Sequence, residues 1–285
     1  MAKQPAPLRL AKKLLKKIGR KPRPPAIGDY LDAPPQQVQV DCSPDELRRM
    51  LDRIAAAWGQ FGETEPYWSV LVNDRFRTGN IEKNIDEFYA SGREPVNAML
   101  QMARRAGADL SRMERAMDFG CGVGRLTFAL ADRVRDVVGI DISGGHLRLA
   151  RERAAQRGIT NVTFEKLSSV GGLDHWQGSF DLIISSIVLQ HNPPPVMAVL
   201  VEKLLDALSP HGVAIIQLPT YIQGQHFVVA DYLARPQPQM EMNALPQRSV
   251  FEIIHRCGAK VLEVREDRAM GTLAGVSQTF VIQKG

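Results

Sequence analysis

The segment AMDFGCGVGRLTFAL, residues 116–130, constrains the fold of this 285-residue chain more than any other. An apolar run leads to Asp118, and three glycines (Gly120, Gly122 and Gly124) then turn the chain into a stretch of helical composition. A strand–glycine turn–helix of this kind presents backbone N–H groups and the positive end of a helix. It also lets a ligand approach where a Cβ would clash. The spacing separates it from a dinucleotide fingerprint, because G-x-G-x-x-G needs its third glycine at position 125, which is Arg125. Here the pattern is D-x-G-x-G-x-G. Asp141 closes the next apolar run, VVGIDIS, 21 residues after Gly120. A carboxylate at that place can accept both hydroxyls of a ribose lying across the strand tips. The plain alternative for an Asp at a strand end is a helix cap, and the glycine turn at this separation favours the ligand.

Strand and helix signals alternate around these two stations. Strands are expected at 115–120, 136–141, 162–165, 180–188, 213–218, 260–266 and 276–283, with helices at 123–133, 145–157, 193–208 (Asn192 its candidate cap) and 247–257. The rhythm implies a parallel sheet with helices on both faces. The last strand alternates Val276, Gln278, Phe280 and Ile282 against more polar neighbours, as an antiparallel or edge strand does. Residues 219–245 carry Pro219, Pro236 and Pro238 without sustained periodicity and read as an insertion on the substrate side. The expected organisation is a tail at 1–40, a helical cap at 41–110 and the main domain at 111–285. In the cap, Ser43-Pro44-Asp45-Glu46 is a capping box with proline at the first helical position, followed by the stripe Leu47, Met50, Leu51, Ile54 and Trp58. A second helix is expected from Ser91, with Glu94 three residues on. The aromatic passage between them (Tyr67, Trp68, Phe76, Phe88, Tyr89) is either a pocket wall or, more commonly, packing against the main domain.

The charge is uneven. Residues 1–28 hold nine Lys or Arg and no acid, so the rest of the chain has 27 basic against 31 acidic residues and carries −4. A nucleic-acid enzyme normally shows its positive charge in the domain itself, so no nucleic-acid substrate is expected. The stretch 8–23 reads either as a solvated, disordered tail or as a weak peripheral contact to anionic lipid. Cys42, Cys121 and Cys257 are widely spaced, which gives neither a disulfide framework nor a zinc site, and no metal is expected. No apolar h-region follows the basic start, so the expected place is the cytoplasm, with any membrane contact at its inner face.

Four stations together resemble class I S-adenosylmethionine-dependent methyltransferases. They are Asp118–Gly124, Val138-Gly139-Ile140-Asp141, Phe180-Asp181-Leu182-Ile183-Ile184 and Leu208-Ser209-Pro210-His211-Gly212-Val213. The resemblance covers roughly residues 65–285 and departs from the family at His211, which replaces a glycine. It implies a doubly wound, Rossmann-like α/β fold with a seven-stranded, mostly parallel sheet and a reversed last strand. It further implies S-adenosylmethionine as cofactor. By the same likeness Asp118, Gly120, Gly122 and Gly124 serve the methionine and ribose end, and Asp141 takes the ribose hydroxyls. Ile142 is a further cofactor-binding candidate, Leu167 can pack on the adenine ring, and Ser185 lies at the tip of the fourth strand of the main sheet. The family's adenine-binding Asp has no counterpart in Phe164-Glu165-Lys166-Leu167-Ser168, where Ser168 is the nearest polar candidate for that contact.

Ser185–Pro193 lies where the family meets both sulfonium and acceptor. His191 is the candidate general base, or else it orders the turn. Arg93 is a candidate for the cofactor carboxylate and His226 for the acceptor. His146, His175 and Asp132 form no constellation in the sequence. The function expected is methyl transfer to a small-molecule or glycan-type acceptor. The rivals are a catalytically silent cofactor-binding module and a protein or RNA methyltransferase. Against the last, Asn192-Pro193-Pro194-Pro195 has proline where an amino-group methyltransferase carries an aromatic residue.

Overall fold

A computed structural model describes residues 36–236, 240–271 and 273–285. Residues 1–35 lie outside them, and with them the lipid-contact and disordered-tail readings of the basic segment. In chain order the strands are β1 (Gln37–Val38), β2 (Arg115–Phe119), β3 (Asp136–Asp141), β4 (Val162–Lys166), β5 (Phe180–Ser185), β6 (Leu208–Ile222), β7 (His226–Phe227), β8 (Ala259–Asp267) and β9 (Gly275–Lys284). The helices are α1 (Pro44–Thr64), α2 (Ile85–Ala90), α3 (Arg93–Arg105), α4 (Arg125–Ala131), α5 (Gly144–Gln156), α6 (Pro194–Asp206), α7 (Val229–Ala234) and α8 (Gln247–Arg256).

Seven strands form one sheet in the order β4-β3-β2-β5-β6-β9-β8. The first five run parallel, and β9 lies antiparallel to both β6 and β8. The strand period of two sends alternate residues to opposite faces. Met117 and Phe119 of β2, with Ala214, Ile216 and Leu218 of β6, pack against α1, α6 and α8. Ala116, Val213 and Ile215 pack against α3 and α4 on the other face. Burial on both faces explains why the parallel strands read as continuous apolar runs. Among the described residues no helix is long and apolar enough to cross a membrane.

The cap helix α1 begins as its sequence dictates. The Ser43 hydroxyl accepts from the Glu46 N–H, and the Glu46 carboxylate accepts from the Ser43 N–H. Its far end presses on the start of α5 at two glycines. A Cβ on Gly145 would lie 2.7 Å from the Gly62 carbonyl oxygen, so only the absence of side chains lets these backbones meet. The aromatic passage is packing: Phe88, buried, makes edge contacts with Tyr67, Phe76 and Tyr89.

Several local expectations are corrected. Ser91 does not cap a helix; its hydroxyl donates to the Phe88 carbonyl at 2.6 Å and closes α2, while α3 starts after Gly92 with no side-chain cap. The strand expected to reach Val188 stops at Ser185, because Ile187 leaves the sheet with φ +60°. Asn192 does not cap α6, since its amide donates back to the carbonyls of Val188 and Leu189. The irregular stretch after β6 holds a strand and a short helix, with β7 pairing in parallel with β1. The Gln225 amide clips it shut, donating to the Ala244 carbonyl and accepting from the Ala244 N–H.

Candidate functional site

The tips of β2, β3 and β5 open onto a cavity of about 890 Å³, counting its mouth. The first wall grows from the glycine turn. Gly120 and Gly122 take φ of +77° and +54°, which L side chains adopt at a cost. A Cβ on either would run into Val188 or Val70, so the turn also lets those two side chains close down on it. The Gly122 N–H donates to Asp141 Oδ2 and the Ser143 N–H to Oδ1, each at 2.8 Å. Asp141 thereby locks the turn after β2 to the turn after β3. Asp118 is 2% exposed and accepts from the Thr127 hydroxyl at 2.7 Å. Burial pushes its carboxyl up to about 6, with the Thr127 hydroxyl and the Arg125 guanidinium opposing.

The second wall comes from the cap and from the turn after β5. Leu51, Ile54 and Trp58 of α1 face the cavity, with Ser69 and Val70 beyond them and Ser186–Val188 beside them. The turn after β5 hangs on one buried amide. Gln217 Oε1 accepts from the Ile187 N–H at 2.7 Å, and its Nε2 donates to Ser277 Oγ at 2.8 Å and Gln190 Oε1 at 3.2 Å. With all its valences met, this network fixes the turn's shape rather than leaving a costly buried polar group.

Of the residues singled out in the sequence, Asp118, Gly120, Gly122, Asp141, Ile142 and Leu167 all line the cavity. Gly124, Ser168, Ser185 and His191 do not. Gly124 supplies a φ of +87° at the start of α4 and packs on Phe128. Ser168 is exposed and Ser185 is buried in the sheet. His191 Nδ1 lies 2.7 Å from the Glu241 carbonyl, its ring stands 5.2 Å from Trp58, and burial pushes its imidazole down. Arg93 is on the surface beside Asp132, at 3.8 Å, and His226 is exposed on β7.

Among the lining residues that the sequence reading did not assign to the site are Arg125, Trp58 and His146. Arg125 is 9% exposed, with Nη1 donating to the Ser91 carbonyl at 3.1 Å and Nε buried without a partner. Trp58 sits in the apolar stripe of α1, where periodicity marks a face but not what it faces. His146 is 1% exposed, and its Nδ1 is 4.0 Å from Asp141 Oδ1. Asp141 stands only five positions before it, but the ring is turned toward it by Pro66 and Ser69, the imidazole's partners from a distant turn.

The set fits a nucleoside joined to an amino acid. It offers acceptors for hydroxyls at Asp141, apolar surface at Ile142 and Leu167, and the opposite charges of Asp118 and Arg125. Comparison with known proteins decides the family: a family model described as a methyltransferase domain matches residues 110–266. The chain is a class I S-adenosylmethionine-dependent methyltransferase by family. The family's cofactor is S-adenosylmethionine. Among relatives of this methyltransferase, the ubiquinone biosynthesis O-methyltransferase of Psychrobacter cryohalolentis is 25% identical over 62% of this chain and 64% of its own. The 2-heptyl-1-hydroxyquinolin-4(1H)-one methyltransferase of Mycobacteroides abscessus is 31% identical over 35% of this chain and 41% of its own. The chain thus spans less than two thirds of the length of either relative. Magnesium protoporphyrin IX methyltransferase from Synechocystis, solved with bound S-adenosylhomocysteine, shares the fold. Its TM-score is 0.55 at 17% identity, over 81% of this chain and all of that one.

Proposed function

We propose that the protein transfers the methyl group of S-adenosylmethionine to a small-molecule or glycan-type acceptor and releases S-adenosylhomocysteine. The observation that carries this reading is the convergence of Asp118, Gly120, Gly122, Asp141, Ile142 and Leu167 on one wall of a cavity whose other wall belongs to the cap. In this reading Asp141 accepts from the ribose and Ile142 and Leu167 sandwich the adenine. The glycine turn, with Asp118 and Arg125, holds the amino-acid end. Bound there, the cofactor supplies a methyl already activated on sulfonium. The protein's task is then to align the acceptor with it and keep water out, rather than to lend covalent help. Leu51, Ile54, Trp58 and Val70 supply the dry side of that task.

For His191 we favour ordering of the turn over proton transfer. Its Nδ1–H is spent on the Glu241 carbonyl and the ring stays out of the cavity lining. Calorimetric titration of S-adenosylhomocysteine into the wild type and Asp141→Ala tests the site. Micromolar binding that weakens at least tenfold in the variant, about 1.4 kcal/mol, is expected. A folded wild type that binds neither S-adenosylhomocysteine nor S-adenosylmethionine overturns the reading.

A further inference from the structure

We propose that His146 is a cofactor-binding residue: with Asp141 it forms a two-acceptor seat for the vicinal hydroxyls of a ribose, the carboxylate taking one and the imidazole Nδ1 the other. The inference rests on the reading of the cavity as the S-adenosylmethionine site. It starts from the hydrogen bonds on the far side of the ring. His146 Nε2 lies 3.1 Å from the carbonyl oxygen of Pro66, a group that can only accept, so Nε2 carries the proton. The Ser69 hydroxyl gives its own proton to the same carbonyl at 3.2 Å and accepts from Nε2–H at 3.0 Å. The network therefore assigns the lone pair to Nδ1.

That nitrogen is buried and has no hydrogen-bond partner. An unsatisfied polar atom in such a place is expensive, about 1–3 kcal/mol, and calls for an explanation. Asp141 Oδ1 stands 4.0 Å away but is itself an acceptor, so the two cannot satisfy each other while the ring is neutral. Burial holds the ring neutral, with Asp141 and Glu63 pulling the other way. What the pair lacks is donors. Each Asp141 oxygen already receives one backbone N–H, from Ser143 or Gly122, and keeps room for one more. Two acceptors 4.0 Å apart at the cavity wall match two O–H donors on neighbouring carbons. The bond to Pro66 accounts for Nε2 as a bolt between cap and body, but it leaves Nδ1 without a reason.

S-adenosylhomocysteine and its 2′-deoxy and 3′-deoxy analogues, titrated by calorimetry into wild type and His146→Phe, test this directly. In the wild type each missing hydroxyl is expected to weaken binding about tenfold. In His146→Phe the parent compound binds about tenfold more weakly, and one of the two analogues binds no worse than the parent, because its partner is already gone. If both analogues lose as much in the variant as in the wild type, His146 only holds the turn and the inference falls. A wild type that binds no S-adenosylhomocysteine overturns the site itself, which is a different result. Should His146→Phe fail to fold, nitrogen-15 NMR of the histidine-labelled wild type gives the same answer. The Nδ1 resonance of the Nε2–H tautomer should move upfield when S-adenosylhomocysteine is added and should move less with one of the deoxy analogues. A resonance that the parent compound leaves unchanged overturns the inference.

Discussion

The two walls of the cavity are built on different principles. The body wall is local: a strand, a glycine turn and a helix within 116–130, tied to Asp141 by the Gly122 N–H. Asp118, Gly120, Gly122 and Arg125 line the cavity from that one segment, so their places follow from where the glycines stand. The cap wall is assembled from afar. Trp58, Ser69 and Val70 reach the cavity only because α1 docks on α5 through Gly62 and Gly145. The turn after β5 holds its shape through Gln217, 30 residues downstream of Ile187. The body wall is thus a motif, whereas the cap wall is a consequence of packing. A change in packing should harm the second far more than the first.

Gly145→Ala is the strongest way to break that distinction. Its new methyl would lie 2.7 Å from the Gly62 carbonyl oxygen and 2.8 Å from the carbonyl carbon, backbone atoms that cannot rotate away. Overpacking of this kind costs about 1–3 kcal/mol, only partly offset by alanine's better helix propensity, about 1 kcal/mol. We expect a lower melting temperature and a cap that opens to proteolysis between α1 and α2. Affinity for S-adenosylhomocysteine should fall by less than in Asp141→Ala. A fall as large as that of Asp141→Ala would show that the two walls are one unit.

The same difference sets what was legible in the sequence. The sheet, its reversed strand and the glycine turn were readable because period-two burial and turn chemistry are written in neighbouring residues. Six of the twelve site candidates drawn from the sequence line the cavity. The errors share a cause. Ser91 and Asn192 carry side chains that suit a cap, but each found a nearer carbonyl, at Phe88 for Ser91 and at Val188 and Leu189 for Asn192. His146, Arg125 and Trp58 were missed because what seats them lies far off in the chain: Pro66 and Ser69 for His146, Ser91 for Arg125 and His191 for Trp58. Gln217 did leave a trace: a polar residue inside an apolar run, Val213–Leu218, needs a buried partner. It had three.

Asp118 offers a middle-sized test, confined to the body wall. Its carboxyl is raised to about 6 by burial, above the ordinary value of about 3.9. For an acid raised in the folded state, the native protein binds the proton more tightly than the unfolded chain. Its contribution to stability is therefore favourable at low pH and is lost as pH climbs through the window from about 4 to about 6. Asp118→Asn keeps an acceptor for the Thr127 hydroxyl and removes the titration. Denaturant midpoints at pH 5 and pH 7.5 should show the variant gaining on the wild type at the higher pH by on the order of 1 kcal/mol. Equal differences at the two values would mean that Asp118 stays ionised in its buried site.

The smallest effect lies at the mouth of the cavity, where Ile187 is both strained and exposed. A β-branched residue at φ +60° is a marked departure from what its backbone prefers, and 43% of this apolar side chain stands open at a cavity wall. Strain of about 1–3 kcal/mol that contributes nothing to packing points to a role for the side chain itself, in contact with what enters. Ile187→Gly relieves the strain and gives back about 0.5–1 kcal/mol to unfolded-chain entropy, so stability should rise slightly or hold. The Gln217 bond to the residue 187 N–H is a backbone bond and survives the change. Affinity for S-adenosylhomocysteine should stay within twofold, about 0.4 kcal/mol, because the body wall is untouched. The KM for an acceptor found by screening should rise. A variant that loses stability and leaves the acceptor KM alone would place Ile187 in the scaffold, and the cap wall would then owe its selectivity to Trp58 and Val70.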